Sequence, residues 1–237
     1  MTATSSTTPI IYPSSDGEPI AETYDHLYAI LNTLEVLKQY LTGRQATVLA
    51  NQFLYYAQGF PRLRIAPDVM VIFDVEPGGR DNYKTWEEGQ VLVVIFEMTS
   101  QGTQDQDKTF KKTLYEQLGV LEYWLFDPKG EWIPEKLQGY RLQEDTYISI
   151  TDSRSEPLKL RLAVEGKLIG FYREDTGEKL LIPDELAQAL YQETQARQQA
   201  EERAEQERQQ REQAQQQLAE MEATLARYRE QFGELPE

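Results

Sequence analysis

Two carboxylates, Asp68 and Glu97, stand at the edges of apolar runs that read "PDVMVIF" and "VLVVIFE". An ionised carboxylate buried alone among such residues is costly, and a shared cation would offset that cost. If Asp74 pairs with Val91 across an antiparallel hairpin, the same register sets Asp68 opposite Glu97. Cross-strand partners share one face of a sheet, with Cβ atoms about 5 Å apart. Asp68 and Glu97 could then hold one hard divalent ion through carboxylate oxygens, the ligands such ions take. Lys108, Lys111 and Lys112 follow in "DKTFKKTLY" and offer cations near the same strand end. The bland alternative leaves each carboxylate in water at a strand end and all three lysines solvated.

The composition narrows the chemistry further. The 237-residue chain has no cysteine and one histidine, His26, so thiolate sites are excluded and a Ser-His-Asp triad is improbable. Carboxylates, lysines and a hard metal ion are the tools left. The net charge is −16, spread over both parts of the chain. Such a surface repels nucleic acid unless a local basic patch or bound cations offset it.

These residues need elements to position them. Residues 20–41 have helical apolar spacing, with Ile20, Tyr24, Leu27, Ile30, Leu31, Leu34, Leu37 and Leu41 expected against a sheet, and Gly43 as the stop. Strands are expected near 47–56, 67–74, 91–98 and 120–128, the third covered on both faces. Residues 105–118 return to helical spacing. There Phe110, Leu114 and Leu118 are expected to mark the buried face, with Lys111 at its border and Lys108 and Lys112 toward solvent. "LQGYRLQ", "TYISI", "LRLAV" and "LIGFYRE" read as an antiparallel extension of the sheet. The fold class expected is a mixed α/β domain over residues 20–182, with helices flanking a central sheet. Residues 1–19 read as a loose polar arm without a signal-peptide core. No apolar run spans a membrane, and the cytoplasm is the simplest location.

From Pro183 the chain lacks glycine until Gly233 and is rich in Gln, Glu, Arg and Ala. Steps of four and three from Leu186 to Phe232 mark a heptad seam, apolar except at Glu193, Arg197, Glu207 and Arg211. Residues 183–237 are therefore read as a coiled-coil helix that joins two subunits in a homodimer or docks a partner helix. A single solvated helix held by Glu/Arg pairs is the alternative.

Pro67-Asp68, then Glu97, then a lysine-bearing helix resembles the PD-(D/E)XK restriction-endonuclease-like superfamily. The blocks "PDVMVIFDV", "NYKTWEEG" and "VIFEMTSQGTQDQDKTFKKTLYEQLGVLEYWLFDP" are similar to a bacterial restriction-endonuclease family of the Uma-two type, long catalogued as a domain of unknown function. The resemblance covers about residues 20–170. It implies a restriction-endonuclease-like sheet, hydrolysis of DNA phosphodiester bonds, and Mg²⁺, with Mn²⁺ as a substitute. Asp68 and Glu97 would hold the metal, with the Met98 backbone carbonyl completing its shell, and Lys111 would be the catalytic lysine. The superfamily's usual lysine position holds Thr99, and Lys111 is the replacement that both helical geometry and the Asp107-x-x-x-Lys111 spacing favour. Glu22 corresponds to a helix carboxylate some members use. Gly78-Gly79-Arg80 could contact a phosphate or form only a hairpin loop. The competing functions are a nuclease fold kept as an assembly module, which the acidic surface favours, and hydrolysis of a non-nucleic phosphoester.

Overall fold

The computed structural model describes residues 10–17, 22–89 and 92–233. Helix α1 (Tyr24–Tyr40) leads into strands β1 (Ala46–Ala50), β2 (Leu54–Tyr55), β3 (Arg64–Ile65) and β4 (Val69–Phe73). Then come β5 (Tyr83–Lys84), the short helix α2 (Thr85–Glu88) and β6 (Val94–Met98). A π-helical turn, Gln106–Lys111, runs into α3 (Lys112–Gln117). Seven strands follow: β7 (Glu122–Phe126), β8 (Leu137–Gln143), β9 (Thr146–Ile150), β10 (Arg154–Ser155), β11 (Leu160–Glu165), β12 (Leu168–Arg173) and β13 (Lys179–Leu180). Helix α4 (Pro183–Phe232) ends the described chain. Residues 1–183 and 184–237 form separate compact units.

The first unit is a mixed α/β fold. Its central sheet runs β1-β4-β6-β7-β8-β9, antiparallel except for the parallel β6–β7 pair. Alternation of side chains explains why β6 is apolar at every position but Glu97. Val94, Phe96 and Met98 join one buried cluster with Ile30, Leu37, Trp124 and Phe171. Ile95 faces the other way, into a cluster with Met70, Ile72, Tyr115, Tyr123 and Leu125. Both faces of the strand are covered, so neither can be polar without a partner.

Several expectations are corrected. The strand expected over 47–56 breaks at Asn51, which takes a left-handed conformation with φ 50°. "LRLAV" and "LIGFYRE" do not extend the central sheet; they form a second sheet, β10-β11-β12-β13, whose Phe171 ring meets Phe96 edge-on at 5.8 Å. Helix α1 buries Ala29, Ile30, Thr33, Val36 and Leu37, while Tyr24, Leu27 and Leu31 are exposed. Ile30, Leu37 and Leu41 of the expected face are buried and Leu34 packs against the core, so the buried face is rotated only in part from the expected one. The expected loose arm is docked where it is described: Tyr12 packs on Tyr55 and Trp86, and Tyr55 donates to the Pro13 carbonyl at 2.6 Å. Ile20, expected on the α1 face, and the Val91 partner of the hairpin lie outside the described residues.

Two glycines matter to the frame. Gly43, at φ 83°, turns the chain out of α1 as only glycine does freely. Gly139 lies opposite Trp124 in the β7–β8 pair, and a Cβ there would stand 2.5 Å from the indole. Gly139→Ala is therefore expected to destabilise the fold by about 2 kcal/mol, because Trp124 is buried and must move. Urea unfolding of the two proteins measures the difference.

Candidate active site

Strands β4 and β6 pair Val69 with Phe96, Met70 with Ile95 and Val71 with Val94. This is the register expected from the sequence, and one step further it sets Asp68 opposite Glu97. Both side chains therefore emerge on the face of Met70 and Ile95. Asp68 is anchored through its own strand end: its Oδ2 accepts the Met98 N–H at 2.6 Å, and its N–H lies 3.4 Å from Glu97 Oε2. Met98 thus meets the site through its amide.

The helical segment supplies the counterion. Lys111 Nζ is 2.8 Å from Glu97 Oε2 and 2.9 Å from Asp107 Oδ1. Tyr115 donates its hydroxyl to Glu97 Oε1 at 2.7 Å, so each oxygen of that carboxylate has a fixed partner. The expectation that Phe110, Leu114 and Leu118 mark the buried face fails at Phe110, while Leu118 packs against the core and Leu114 is half-buried. Phe110 is 59% exposed, whereas Asp107 and Tyr115 are buried. The wider i→i+5 turn over Gln106–Lys111 rotates the segment and aims Asp107, Lys111 and Tyr115 at the sheet. Lys108 donates to the Trp132 carbonyl at 2.7 Å, and the Lys112 ammonium lies over the Tyr140 ring at 3.9 Å. Neither reaches the carboxylates.

His26 is the residue sequence reasoning undervalued. It is 7% exposed, with Nε2 3.0 Å from Glu22 Oε2 and 3.8 Å from Asp68 Oδ2. Glu22 and His26 are one helical turn apart, and Ala29 and Thr33 continue the same flank with small side chains. That run of small or polar residues at helical spacing was the available signal. Thr99, standing where a lysine was sought, is buried. A cleft of about 440 Å³ opens here, lined by Glu22, His26, Asp68, Thr99, Lys129 and Trp132 among others. Its wall is held by Asp127, whose carboxylate accepts the N–H groups of Lys129, Gly130, Trp132 and Ile133. Arg80 is tied to Glu88 at 3.0 Å and to the Gly78 carbonyl at 2.8 Å, and the Gly78–Arg80 loop does not line this cleft.

One ammonium serves three buried carboxylates. Burial, opposed by Lys111, pushes the Asp68 carboxyl up to about 7. Burial likewise pushes Glu97 up to about 8; Lys111 opposes this, and Asp68 and Asp107 add to it. Burial alone would lower the Lys111 ammonium, but Glu97, Asp107 and Asp68 outweigh it and hold the charge firmly. Burial lowers the His26 imidazolium despite Glu22, so the ring is neutral at pH 7.

Such a site fits a hard divalent cation. The donors are carboxylate oxygens, the buried charge is in excess, and His26 Nδ1, Thr99 Oγ1 and Asp107 Oδ2 are buried without a hydrogen-bond partner. Among the described residues no three His, Cys, Asp or Glu side chains form a ready-made shell.

A family model described as "Uma2: Putative restriction endonuclease" matches residues 7–169, which include every residue of the cluster. A solved structure titled "Crystal structure of a putative nuclease belonging to DUF820 from Anabaena variabilis ATCC 29413" is similar at 15% identity and a TM-score of 0.40. The match covers 62% of this chain and 82% of that one. No curated protein matches. No described helix is long and apolar enough to cross a membrane.

Proposed function

This chain belongs to the Uma2 restriction-endonuclease family, and from that premise we propose that it is a Mg²⁺-dependent endonuclease that hydrolyses DNA phosphodiester bonds. The observation that carries the reading is the 2.8 Å contact between Lys111 and Glu97, beside Asp68 in register on the neighbouring strand. Asp68 and Glu97 would hold the ion, with the Met98 carbonyl as a further oxygen and Mn²⁺ as a substitute. When bound, a hard divalent ion polarises a phosphoryl oxygen and lowers the pKa of a coordinated water.

The chain's own groups do the rest. Lys111 keeps its proton across the working pH range, so it stabilises charge on the phosphoryl oxygens and orients the attacking water, rather than removing a proton. Tyr115 fixes the Glu97 rotamer. The neutral His26, held by Glu22, lines the cleft beside Asp68 and can accept or relay a proton there. Trp132 and Lys129 offer the cleft a flat face and a positive charge for a nucleotide strand. The acidic chain makes binding depend on divalent cations that offset its charge.

The test is nicking of supercoiled plasmid in Mg²⁺ or Mn²⁺, with chelator controls, for wild type and Asp68→Asn. Metal-dependent nicking that the variant lacks supports the reading; equal nicking by both, or none by wild type, refutes it. Tyr115→Phe removes one hydrogen bond to Glu97 and is expected to slow nicking by roughly 10-fold, as for a group that orients a ligand. Its thermal midpoint should drop by only a few degrees, since one buried hydrogen bond is worth about 1 kcal/mol.

A further inference from the structure

Helix α4 runs unbroken for 50 residues and forms a unit of its own. Leu186, Leu190, Leu218, Met221, Leu225 and Tyr228 are each at least 41% exposed along it. These residues, with Ala200, Ala204 and Ala214, repeat at alternating steps of four and three, the core positions of a heptad. A straight helix presents such a stripe on one side and cannot cover it alone.

Four charged residues interrupt the stripe, and their order selects both partner and orientation. They are Glu193, Arg197, Glu207 and Arg211. In a parallel, in-register pair each seam residue faces its own copy. Glutamate would then meet glutamate in two layers, and arginine would meet arginine in two more. In an antiparallel pair the two kinds of seam position face each other. The register that sets Ala200 on Ala204 of a second copy also sets Glu193 on Arg211 and Arg197 on Glu207. The same register sets Leu190 on Ala214 and Leu186 on Leu218. Every seam charge then meets its opposite, and the small alanines occupy the centre. Sliding the antiparallel pair by one seam step toward greater overlap sets Glu193 on Leu218 and Arg197 on Ala214. A second step sets them on Leu225 and Met221. The first leaves every seam charge against an apolar side chain; the second pairs Glu207 with Arg211 but leaves Glu193 and Arg197 against apolar side chains, which is unfavourable. The Ala200–Ala204 register pairs all four, although it carries Leu225 and Tyr228 past the first α4 residue of the second copy, Pro183.

We infer that α4 joins two copies of this chain as an antiparallel coiled coil in the Ala200–Ala204 register. The charged layers set orientation and register, the best-attested role of polar residues in such seams, at a cost in stability. The 3.0 Å pair between Arg197 and Glu201 on the same helix leaves the guanidinium at the seam edge, able to engage both carboxylates. This inference does not depend on the proposed activity.

The absence of cysteine makes the test clean, since an introduced thiol is the sole one. Full-length Leu186→Cys and Leu218→Cys proteins are oxidised separately and as a mixture. In the inferred register the two copies of residue 186 lie roughly 48 Å apart along the axis. Cross-linked dimer should therefore form in the mixture, with a 186–218 peptide identified by mass spectrometry. Cross-links within either variant alone overturn the orientation. Because these changes remove seam leucines, a second measurement uses charge. Sedimentation of wild type should show a dimer, and Glu193→Arg should weaken it by about tenfold or more, as like charges meet. Adding Arg211→Glu to the same chain should restore the dimer. In a parallel pair the single change would only replace one like-charged layer by another. A monomeric wild type, or no restoration in the double variant, overturns the inference.

Discussion

Asp68→Asn is expected to abolish plasmid nicking, by roughly 10³-fold or more, while leaving a fold that is more stable than wild type at pH 8 in the absence of divalent cations. The first half follows from the loss of an anionic ligand. The second follows from the site's electrostatics. Burial pushes the Asp68 carboxyl up to about 7 from an ordinary value near 3.8. Its folded pKa therefore lies above its unfolded one, and the native state binds the proton more tightly. The resulting stability is fully present below about pH 4 and is lost as pH rises through about 7. At pH 8 the ionised group costs on the order of a few kcal/mol that the amide does not. The amide also keeps an oxygen to accept the Met98 N–H. For a chain of this size each kcal/mol moves the thermal midpoint by about 2–4 °C. The gap between variant and wild type should open between pH 5 and pH 8. Millimolar Mg²⁺ should narrow it by stabilising only the wild type. Differential scanning calorimetry across that range reads both effects.

Lys111→Met is expected to fail on both counts. The ammonium lies between the Glu97 and Asp107 carboxylates, and removing it leaves two buried anions without their partner. Breaking a buried pair from one side costs about 3–5 kcal/mol. The variant should therefore unfold well below wild type at pH 8. Lowering the pH lets the orphaned Glu97 carboxyl, already pushed up by burial, take up a proton, so the difference should shrink toward pH 5, opposite to a packing defect, which would persist. Nicking should fall by roughly 10²–10³-fold, the scale of a lost group that stabilises transition-state charge. The two variants thus separate the roles: Asp68→Asn inactivates and stabilises, Lys111→Met inactivates and destabilises.

Much of this site was legible in the sequence because its logic is local. The β4–β6 register follows from two apolar runs whose carboxylates must emerge on one face, and the structure keeps that pairing. Helical spacing distinguishes Lys111 from Lys108 and Lys112, and Lys111 does reach Glu97. Apolar spacing puts Phe110 on the buried face, and only the π-helical turn, which no side-chain pattern announces, shows why Asp107 and Tyr115 point inward instead. Tertiary packing also hid the orientation of α1. Hydrophobic spacing places Ile30, Leu34, Leu37 and Leu41 against the sheet, as observed, but the buried face also takes in Ala29, Thr33 and His26 and leaves Tyr24, Leu27 and Leu31 exposed. The second sheet was missed for a related reason. Alternation identifies β11 and β12 as strands and says nothing of which sheet they join.

Asp68 and Glu97 are expected to share a cation, and that can be measured without knowing the nucleic-acid substrate. Mn²⁺ titration followed by electron paramagnetic resonance counts bound ions directly. Wild type should bind Mn²⁺ at this site, Mg²⁺ should displace it, and Asp68→Asn should lose that binding although it remains folded. Equal Mn²⁺ binding by the two proteins, or none by wild type, would contradict a cation shared by Asp68 and Glu97.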